Sequence, residues 1–347
     1  MHDPHALSYA VPVPPRPVEA RPRRLITRNP YMKTLLDQLG NLAEARATIL
    51  IQGESGTGKE VFAHAIHERS PRCRGPFVRL NCAALSEGVL ESELFGHEKG
   101  SFTGAMRQHA GRFEQAHRGT LFLDEIGAAD PRVQLRLLRV LQEQEFERVG
   151  GTRTLKVDAR VIAATNADLR REVLRERFRE DLFYRLDVLP VHLPPLRARR
   201  EDIPLLVDYF IRAASQKNQR AISQISEEAL AQLQDYPWPG NIRQLENTVE
   251  RMVVLARRPR LEAGDIPEEI VRWREEKALA ELGSYSYRAA REQFDRRFLC
   301  EALRRHNGVI SQVAEAIDMS RKNLYMKLEH LKIDYERFRP YNYSEGE

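Results

Sequence analysis

The sequence predicts an α/β protein in which a parallel sheet covered by helices is followed by a helical lid and a small all-α domain. Apolar strand segments alternate with helical segments from residue 25 to 195, and this alternation favours a parallel sheet that is buried on both faces. The strand patterns then stop, and residues 203 to 270 have helical patterns interrupted at YPWPGN. A polar stretch leads from there to a basic helical segment that starts near Arg288.

The composition is typical of a globular protein. The chain has 347 residues, of which 42% are hydrophobic, enough for two or three domains with buried cores. No run approaches the roughly 18 apolar residues of a membrane helix, and the N-terminus lacks a charged start followed by an apolar stretch, so we expect a cytoplasmic protein without membrane contact. Cys73, Cys82 and Cys300 lack metal-ligand spacing, so we expect three reduced core thiols.

Several segments are predicted along the chain. Seven of the nineteen prolines lie in the first 30 residues, where PVPPRPVEARPRR is too poor in apolar residues to fold. Four buried strands are predicted in ATILIQG, PFVRLNC, GTLFLDE and ARVIAATN. The predicted segments are a disordered basic Pro-rich tail (1–24), an α/β part (25–195) with its helical lid (196–270), a linker (271–287), a compact helical domain (288–335) and a second tail (336–347).

The segment GESGTGKE, residues 53 to 60, is typical of a phosphate-binding loop except at its last position. Its glycines let backbone N–H groups approach a phosphate, and the following helix adds the positive end of its dipole. Lys59 is expected to reach the β- and γ-phosphates, but Glu60 stands where a hydroxyl usually ligates Mg²⁺. A glycine-rich turn without a ligand is an equal alternative for this segment alone. The predicted nucleotide contacts here are Gly53, Glu54, Ser55, Gly56, Thr57, Gly58, Lys59 and Glu60.

Two further strands are predicted to end in polar groups at the same edge of the sheet, where open α/β folds bind ligands. GTLFLDEIG places Asp124 and Glu125 after an apolar strand, and ARVIAATN ends in Thr165 and Asn166. Asp124 is predicted to hold Mg²⁺, and Glu125 to polarise the attacking water as general base. Asn166 is placed to contact the γ-phosphate or position water. An acidic helix turn is the alternative for the two carboxylates alone, but the three strand ends in this order predict nucleotide hydrolysis.

With these motifs the chain resembles, over residues 25 to 335, the AAA+ transcriptional activators of sigma-54 RNA polymerase, also called bacterial enhancer-binding proteins. GESGTGKE is the usual form of the phosphate loop in that family, so Glu60 agrees with the resemblance. The resemblance implies a AAA+ P-loop NTPase fold, the cofactors ATP and Mg²⁺, and hydrolysis of ATP to ADP and phosphate. Magnesium would then depend on Asp124, nucleotide oxygens and water, with Glu60 assisting.

The segment ELFGHEKGSFTGA, residues 93 to 105, presents one aromatic and one hydroxyl side chain between two glycines. A turn with a buried Phe102 is the alternative from the pattern alone. The resemblance identifies the segment as the GAFTGA loop, which contacts sigma-54 and remodels the closed promoter complex. Ser101 replaces the family's alanine, and we expect function to be retained with altered loop energetics. The implied sigma-54 contacts are Gly100, Ser101, Phe102, Thr103, Gly104 and Ala105.

The resemblance assigns further roles to single residues. Asn81 matches an asparagine that pairs with the catalytic glutamate, although a satisfied strand-end asparagine is the alternative. Arg179 and Arg185 match arginine fingers that reach the nucleotide of a neighbouring subunit in a hexameric ring, and a solvated charged helix is the alternative. Six residues apart on one helix, they would point about 240° apart. Arg243 matches the second sensor arginine of the lid, with a surface salt bridge as the alternative.

One departure from the family pattern precedes the strand of the carboxylate pair. Arg118 stands where the family commonly has glycine, and it is expected to affect either the adenine side of the site or a loop.

The C-terminal segment carries most of the net charge. Residues 288 to 332 contain ten Lys or Arg and six Asp or Glu, a net of +4 against +5 for the whole chain. NGVISQVAEAIDMSRKNLYMKLEHL fits a helix-turn-helix, with one helix through Ile317, a turn at residues 318 and 319, and a second helix capped by Ser320. An ordinary helical hairpin is the alternative. The predicted DNA contacts are Ser320, Arg321, Lys322, Asn323, Tyr325 and Lys327.

This segment resembles the Fis-type DNA-binding domain that ends the same activator family. The resemblance implies a dimer that binds two half-sites of upstream enhancer DNA. Asp318 takes a turn position that is often glycine, and aspartate tolerates the left-handed conformation better than most residues.

Together the motifs and the resemblance predict an ATP-driven activator that binds upstream DNA, forms a ring and opens sigma-54 promoters. A DNA-binding regulator that has lost polymerase activation is one alternative, disfavoured because the Phe102 loop, Glu125 and both candidate fingers are present. A AAA+ remodeller of another macromolecule is a second alternative, but such a protein would not need the basic C-terminal helices. Residues 1–24 have room for neither a receiver domain nor a small-molecule sensor, so we expect control by a regulatory protein in trans or by expression level.

Overall fold

The structure is a computed structural model, and it describes residues 25–103, 105–283, 287–331 and 333–338. The predicted tail 1–24, Gly104 of the Phe102 loop, residues 284–286 of the predicted linker, Lys332 and residues 339–347 lie outside the described residues. The chain divides into two compact units between Pro267 and Glu268.

A five-stranded parallel sheet lies at the centre of the first unit, with the strand order β2 (Phe77–Asn81), β3 (Thr120–Asp124), β6 (Arg160–Thr165), β1 (Ile49–Gln52) and β7 (Leu189–His192). All four predicted strands belong to it. The edge strand β7 was not identified from the sequence, because Pro190 lies in its middle and proline is tolerated only at a sheet edge. The strands of the described chain are β1 (Ile49–Gln52), β2 (Phe77–Asn81), β3 (Thr120–Asp124), β4 (Glu145–Glu147), β5 (Thr154–Lys156), β6 (Arg160–Thr165), β7 (Leu189–His192), β8 (Gln224–Ile225) and β9 (Arg260–Leu261).

Helices cover both faces of the sheet and form the lid of the first unit. The lid consists mainly of the last three helices and also contains the two-residue pair β8–β9, which corrects the expectation that strands end before residue 203. The helices are α1 (Pro30–Asp37), α2 (Leu39–Glu44), α3 (Lys59–Arg69), α4 (Glu87–Phe95), α5 (Arg112–Gln115), α6 (Pro131–Glu143), α7 (Leu169–Leu174), α8 (Glu180–Leu186), α9 (Ile203–Lys217), α10 (Glu227–Asp235) and α11 (Asn241–Leu255).

The side chains of the central strands alternate between two apolar cores. Leu121 and Leu123 pack with α4, α5 and α6 on one face, whereas Phe122 packs with α1, α2 and α3 on the other. All three are essentially inaccessible to solvent. Burial on both faces explains why these strands have nearly continuous apolar sequences.

The register of the strands aligns their carboxyl ends. Asn81 pairs with Asp124 across β2 and β3, and Gln52 pairs with Thr165 across β1 and β6. The polar residues that follow these strands therefore meet at one edge, as the sequence predicts.

A buried histidine connects α3 to the strand β3. His67 is 4% exposed, and its Nδ1 lies 2.9 Å from the Thr120 hydroxyl. Burial and the neighbouring His64 and Arg160 lower the pKa of His67 to about 4. The native state therefore holds this imidazole neutral at a pH where an unfolded chain would protonate it.

Acidification should destabilise the first unit through His67. Its folded pKa lies below the unfolded value of 6.5, so its contribution to stability is fully present above about pH 6.5 and is lost as the pH falls towards 4. We expect a loss of about 2 kcal/mol of unfolding free energy by pH 5, measured by urea denaturation. His67→Gln should flatten this pH dependence. His192→Gln, at an exposed histidine of β7, should leave it unchanged, and equal slopes in both variants would contradict the assignment.

The described residues of the second unit form helices joined by short turns. Its helices are α12 (Glu268–Gly283), α13 (Tyr287–Arg305), α14 (Ile310–Ala316) and α15 (Arg321–His330). Much of the segment predicted as a polar linker is thus the helix α12. Leu299, Leu303, Val313, Leu324 and Leu328 form the centre of a separate apolar core.

The three cysteines are free, as predicted. Cys82 is buried, and its burial together with the carboxylates of Asp124 and Glu125 raises its thiol pKa to about 12. Cys73 is exposed in the turn after α3, so the prediction of a core thiol is wrong there. None of the helices in the described parts of the chain has the length and apolar character that a membrane crossing needs.

Candidate functional site

A cavity of about 590 Å³ lies at the carboxyl edge of the sheet and extends to the helical lid. The loop after β1, the ends of β2, β3 and β6, and the start of α11 contribute to its wall. The structure therefore brings together the polar groups that the sequence places at separate strand ends. The predicted site residues that line the cavity are Ser55, Gly56, Thr57, Gly58, Lys59, Glu60, Asn81, Asp124, Glu125, Asn166 and Arg243.

The phosphate loop, residues 53 to 58, joins β1 to α3 in a conformation that requires glycine. Gly56 and Gly58 have φ angles of 78° and 101°, in the left-handed region. Thr57 is buried between them, and its hydroxyl donates to the Glu54 carbonyl at 2.8 Å. The loop thus leads directly into the N-terminal end of α3, which is the arrangement of a phosphate site.

Lys59 is the first residue of α3 and is only 6% exposed. Its Nζ donates to the Gly53 carbonyl at 2.9 Å and lies 3.3 Å from Glu125 Oε1. If this lysine turned to a phosphate, it would exchange one anionic partner for another, so its own buried charge would stay paired.

Glu125 follows β3 in a left-handed backbone conformation, with φ of 54°. Its Oε2 accepts the backbone N–H of Asn166 at 3.0 Å, while Oε1 faces Lys59. The carboxylate is therefore held between the phosphate loop and the end of β6. This position suits a base that must act on a water beside a γ-phosphate.

Asp124 and Glu125 form a pair with excess negative charge. Burial raises the pKa of the Asp124 carboxyl, the charge of Glu125 raises it further, and Lys59 offsets part of this rise. This surplus of negative charge fits a divalent cation. Within the described ranges no three His, Cys, Asp or Glu side chains converge as a metal cluster, so Mg²⁺ would share its coordination with nucleotide oxygens and water.

Glu60 lines the cavity, but its carboxylate is paired with Arg79 on β2. Both side chains are well exposed to solvent. The arginine competes with a cation for this carboxylate, so the role of Glu60 at the metal stays a prediction.

Asn81 caps the short 3-10 turn at Cys82–Ala84. Its Oδ1 accepts the backbone N–H of Ala83 at 2.9 Å. No hydrogen bond joins Asn81 to Glu125 among the residues that the structure describes, since the Glu125 carboxylate is bonded to Lys59 and Asn166. The geometry is that of a satisfied strand-end asparagine, and the pairing with Glu125 stays a prediction.

Arg243 reaches the cavity from the first turn of α11, which begins after Gly240 as predicted. Its Nη1 lies 3.4 Å from the Ser55 hydroxyl. The backbone N–H groups of Ile242 and Arg243 donate to the Gly56 carbonyl at 3.0 and 3.4 Å. The start of α11 therefore rests directly on the phosphate loop.

The cavity has an apolar wall that was not predicted from the sequence. The first described residues and α9 of the lid form this wall with Leu25, Ile26, Leu206, Tyr209 and Phe210. An apolar slot beside a phosphate loop fits a flat nucleotide base. The helical spacing of the three α9 residues predicts an apolar face, but nothing in the sequence says that this face lines a cavity.

Gly53 and Glu54, two predicted nucleotide contacts, are not part of the cavity wall. A Cβ on Gly53 would lie 2.8 Å from the Leu193 carbonyl, so this glycine serves close packing against the chain after β7. The Glu54 carboxylate turns to Arg197, whose Nη1 and Nη2 lie at 2.8 and 2.5 Å.

Arg179 and Arg185 lie outside the cavity on an exposed segment. Arg179 pairs with Asp181 at 2.7 Å, and Arg185 donates to the Leu141 carbonyl at 2.7 Å. The predicted angle of about 240° between them is wrong, because Arg179 precedes α8 with an extended backbone and is not on the helix.

The described part of the Phe102 loop, residues 97 to 103 and 105, docks on the connection between β4 and β5. Its backbone bonds to Val149, and the Arg148 guanidinium bridges Glu98 and Glu114. The Phe102 ring packs edge-on against His97 at 4.9 Å between ring centroids, yet 47% of the residue is exposed. Phe102 is therefore not the buried residue of the alternative interpretation.

Ser101 is wedged against Gly150. A Cβ on Gly150 would lie 2.5 Å from the Ser101 Cβ, so only glycine fits there. The Ser101 hydroxyl oxygen is buried and has no hydrogen-bond partner in this described region. An alanine at residue 101 would lack this unsatisfied group.

Arg118 lies before β3, at the edge of the sheet away from the cavity. Its φ of 60° is left-handed, and its N–H donates to the Asp158 carbonyl at 2.7 Å. Glycine adopts this conformation without the cost of about 1 kcal/mol that other residues incur. Arg118 therefore lies in a loop at the opposite edge of the sheet from the cavity.

In the second unit, α14 and α15 have the predicted helix-turn-helix connection. Asp318 has a φ of 50°, and the Ser320 hydroxyl accepts the backbone N–H of Asn323. Lys327 is half-buried and pairs with Asp295 on α13 at 2.6 Å, so its ammonium is engaged within the unit. The predicted contacts that are exposed are Ser320, Arg321, Lys322, Asn323 and Tyr325.

Three segments of the chain match known protein families. Residues 25–192 match the sigma-54 interaction domain, residues 197–282 the AAA+ ATPase lid domain, and residues 290–331 the Fis family of bacterial regulatory proteins. The matches follow the order of sheet, lid and C-terminal helices.

Individual proteins with this arrangement are also similar. The regulatory protein AtoC of Escherichia coli K12 is 47% identical over 313 residues, which are 89% of this chain and 68% of AtoC. The Nif-specific regulatory protein of Herbaspirillum seropedicae is 56% identical over 65% of this chain, but the match spans only 42% of that longer protein. The crystal structure of NtrX from Brucella abortus in complex with ATP matches with a TM-score of 0.70 and 38% identity, covering 89% of this chain and 70% of NtrX.

Proposed function

The chain belongs to the family of sigma-54-dependent transcriptional activators, and we propose that it hydrolyses ATP in a ring of subunits to open promoters held by sigma-54 RNA polymerase. The observation that carries the proposal is the single cavity in which the phosphate loop, Glu125 and Arg243 meet beside an apolar slot. The ATP-bound and ADP-bound structures of the similar protein NtrX support the choice of nucleotide.

The residues of the cavity have separate tasks in this mechanism. The base lies in the apolar slot, and the phosphates lie along the loop and the N-terminal end of α3. Lys59 exchanges its contact with Glu125 for the β- and γ-phosphates. This exchange frees the Glu125 carboxylate to accept a proton from the attacking water. Asp124 would hold Mg²⁺, which supplies positive charge to the phosphate oxygens.

The proposed ring supplies the groups that the single chain lacks at its own cavity. Arg179 and Arg185 are exposed and do not line that cavity, so a neighbouring subunit could reach them. A ring, hexameric by family resemblance, would place them against the γ-phosphate of the next subunit. Hydrolysis would then require assembly.

The remaining parts bring the ring to its promoter. The exposed residues of α15 are proposed to contact upstream DNA as a dimer. Lys327 is expected to support α15 through Asp295, and to contact DNA only if that pair opens. Control by a regulatory protein acting in trans remains part of the proposal.

Replacing Phe102 tests how hydrolysis is used. Phe102→Ala should leave the ATPase rate near that of the unchanged chain, because Phe102 is absent from the cavity wall, but should abolish open-complex formation. The measurement is ATP-dependent, heparin-resistant open complexes on a sigma-54 promoter with sigma-54 RNA polymerase. Val254→Ala is a matched control on the lid, since Val254 is 46% exposed and Phe102 47%.

The outcomes of this experiment distinguish the proposed activator from the two alternative functions. Open complexes formed normally by Phe102→Ala would refute the role of the loop. ATPase activity of the unchanged chain without any open complexes would favour a regulator that has lost polymerase activation or a remodeller of another macromolecule.

A further inference from the structure

The short connection between the sheet and the lid, residues 196–202, contacts three other parts of the cavity region; we call it the hub. At one end, the Leu196 N–H donates to Asn241 Oδ1 at 2.7 Å, at the start of lid helix α11. In the middle, the buried Arg199 donates to the Thr57 carbonyl of the phosphate loop at 2.8 Å. At the other end, the buried Asp202 accepts bonds from the segment at residues 27–29 beside the base slot.

Glu54 connects the phosphate loop to this hub. Its carboxylate receives both Nη atoms of Arg197, at 2.8 and 2.5 Å, and Asn241 Nδ2 at 3.2 Å. The bonds to Arg197, followed by that to Asn241, lower the pKa of Glu54 to about 2. The carboxylate is thus ionised and fully engaged outside the cavity.

Asn241 is the residue on which hub, loop and lid converge. It is fully buried, with a left-handed φ of 52°, and it is the first residue of α11. Besides its bonds to Leu196 and Glu54, its Nδ2 donates to the Ser55 carbonyl at 3.0 Å. Every polar atom of this side chain is therefore bonded either to the hub or to the phosphate loop.

The backbone of α11 is equally close to the loop. The free N–H groups of the first helical turn donate to the Gly56 carbonyl, where they would otherwise lack an intrahelical acceptor. A Cβ on Gly56 would lie 2.3 Å from the Gly240 carbonyl. The helix that carries Arg243 cannot move relative to the loop without breaking these contacts.

The contacts differ in strength. Arg199 and Asn241 are buried, whereas Glu54 and Arg197 are 42% and 46% exposed in their side chains. An exposed ion pair contributes up to about 1 kcal/mol and can be broken by a small displacement. The Glu54–Arg197 pair is thus the adjustable contact of the set.

We propose that Glu54 is a positioning residue that does not bind nucleotide: it holds the hub and the start of α11 against the phosphate loop, so that Arg243 is aimed at the γ-phosphate. The proposal rests on the ATPase function proposed above. It assigns to the second residue of GESGTGKE a task in the lid instead of at the phosphates.

The test compares ATP with ADP, because only ATP carries the phosphate at which Arg243 would be aimed. In the full chain, Glu54→Gln and Arg197→Gln are each expected to weaken ATP binding about fivefold while leaving ADP binding unchanged. In an Arg243→Ala background, Glu54→Gln should add no further loss of ATP affinity. Glu250→Gln breaks an ion pair with Lys217 on the same helix, away from the loop, and should leave both affinities unchanged.

Other results would overturn the proposal. An equal loss of ATP and ADP affinity in Glu54→Gln, with an unchanged melting temperature, would mean that Glu54 supports the nucleotide directly. Unchanged affinity for both nucleotides would mean that the contact has no role in binding. The promoter-opening assay tests the proposed transcriptional function, whereas the ATP and ADP affinities test the role of Glu54. If only the transcriptional function is wrong, open complexes are absent but the affinities change as expected; if only the role of Glu54 is wrong, the opposite holds.

Discussion

Arg179→Ala and Arg185→Ala should each lower the ATPase rate per chain by about 10³-fold or more, the range in which arginine fingers act in other NTPases. Neither arginine lines the cavity of its own chain, so this loss would have to arise at a neighbour's nucleotide. Each arginine must first leave a partner in its own chain: Arg179 must leave Asp181, and Arg185 must leave the Leu141 carbonyl. Arg175→Ala is the matched control, because Arg175 is also exposed and paired with a nearby acid, Glu172.

Subunit mixing distinguishes a finger from a residue that merely supports its own chain. Arg179→Ala chains keep an intact Glu125, and Glu125→Gln chains keep intact fingers. A mixture of the two should therefore regain activity at those interfaces where a finger-bearing chain faces an intact cavity. A mixture as inactive as either variant alone, with assembly preserved, would place Arg179 in its own subunit's site.

Glu125→Gln should reduce ATP hydrolysis by about 10²-fold to 10⁴-fold while ATP binding is retained. Glutamine keeps an oxygen that can accept the Asn166 N–H, so the end of β3 should keep its geometry. What it loses is the capacity to take a proton and the charge beside Lys59. The measurements are steady-state ATPase and equilibrium binding of ATP.

A glutamate outside the cavity provides the control for this substitution. Glu143→Gln, at an exposed position near the end of α6, should leave both measurements unchanged. Retained hydrolysis by Glu125→Gln would exclude Glu125 as the base. Loss of ATP binding instead would show that its contact with Lys59 is needed to hold the phosphate loop.

The fold was predictable where residues of one type recur at the spacing of one element. Four of the five strands of the central sheet, the start of α11 and the turn at Asp318 follow from local patterns. The strand β7 could not be predicted in this way, because Pro190 argues against a strand and only its place at the sheet edge makes it possible. The helix α12 was missed because its sequence is polar, and polarity alone favoured a linker.

The candidate site was predictable in its phosphate-binding half and not in its apolar half. Motifs mark Lys59 and Glu125, since their chemistry needs those residue types at fixed spacing. The slot formed by Leu25 and Phe210 needs only apolar bulk, and these residues meet through a tertiary arrangement that no local pattern encodes. The direction of the Glu54 side chain was equally unpredictable, because its partners lie over 140 residues along the chain.

The unpaired hydroxyl of Ser101 has a consequence for how often the Phe102 loop leaves its docked position on Gly150. A buried hydroxyl without a partner costs about 1 kcal/mol or more, and water would satisfy it as soon as the loop lifts from Gly150. Relative to an alanine, this serine would enlarge the lifted population by roughly fivefold or more. The lifted loop would therefore display Phe102 more often, and the docked conformation of the loop would be less stable.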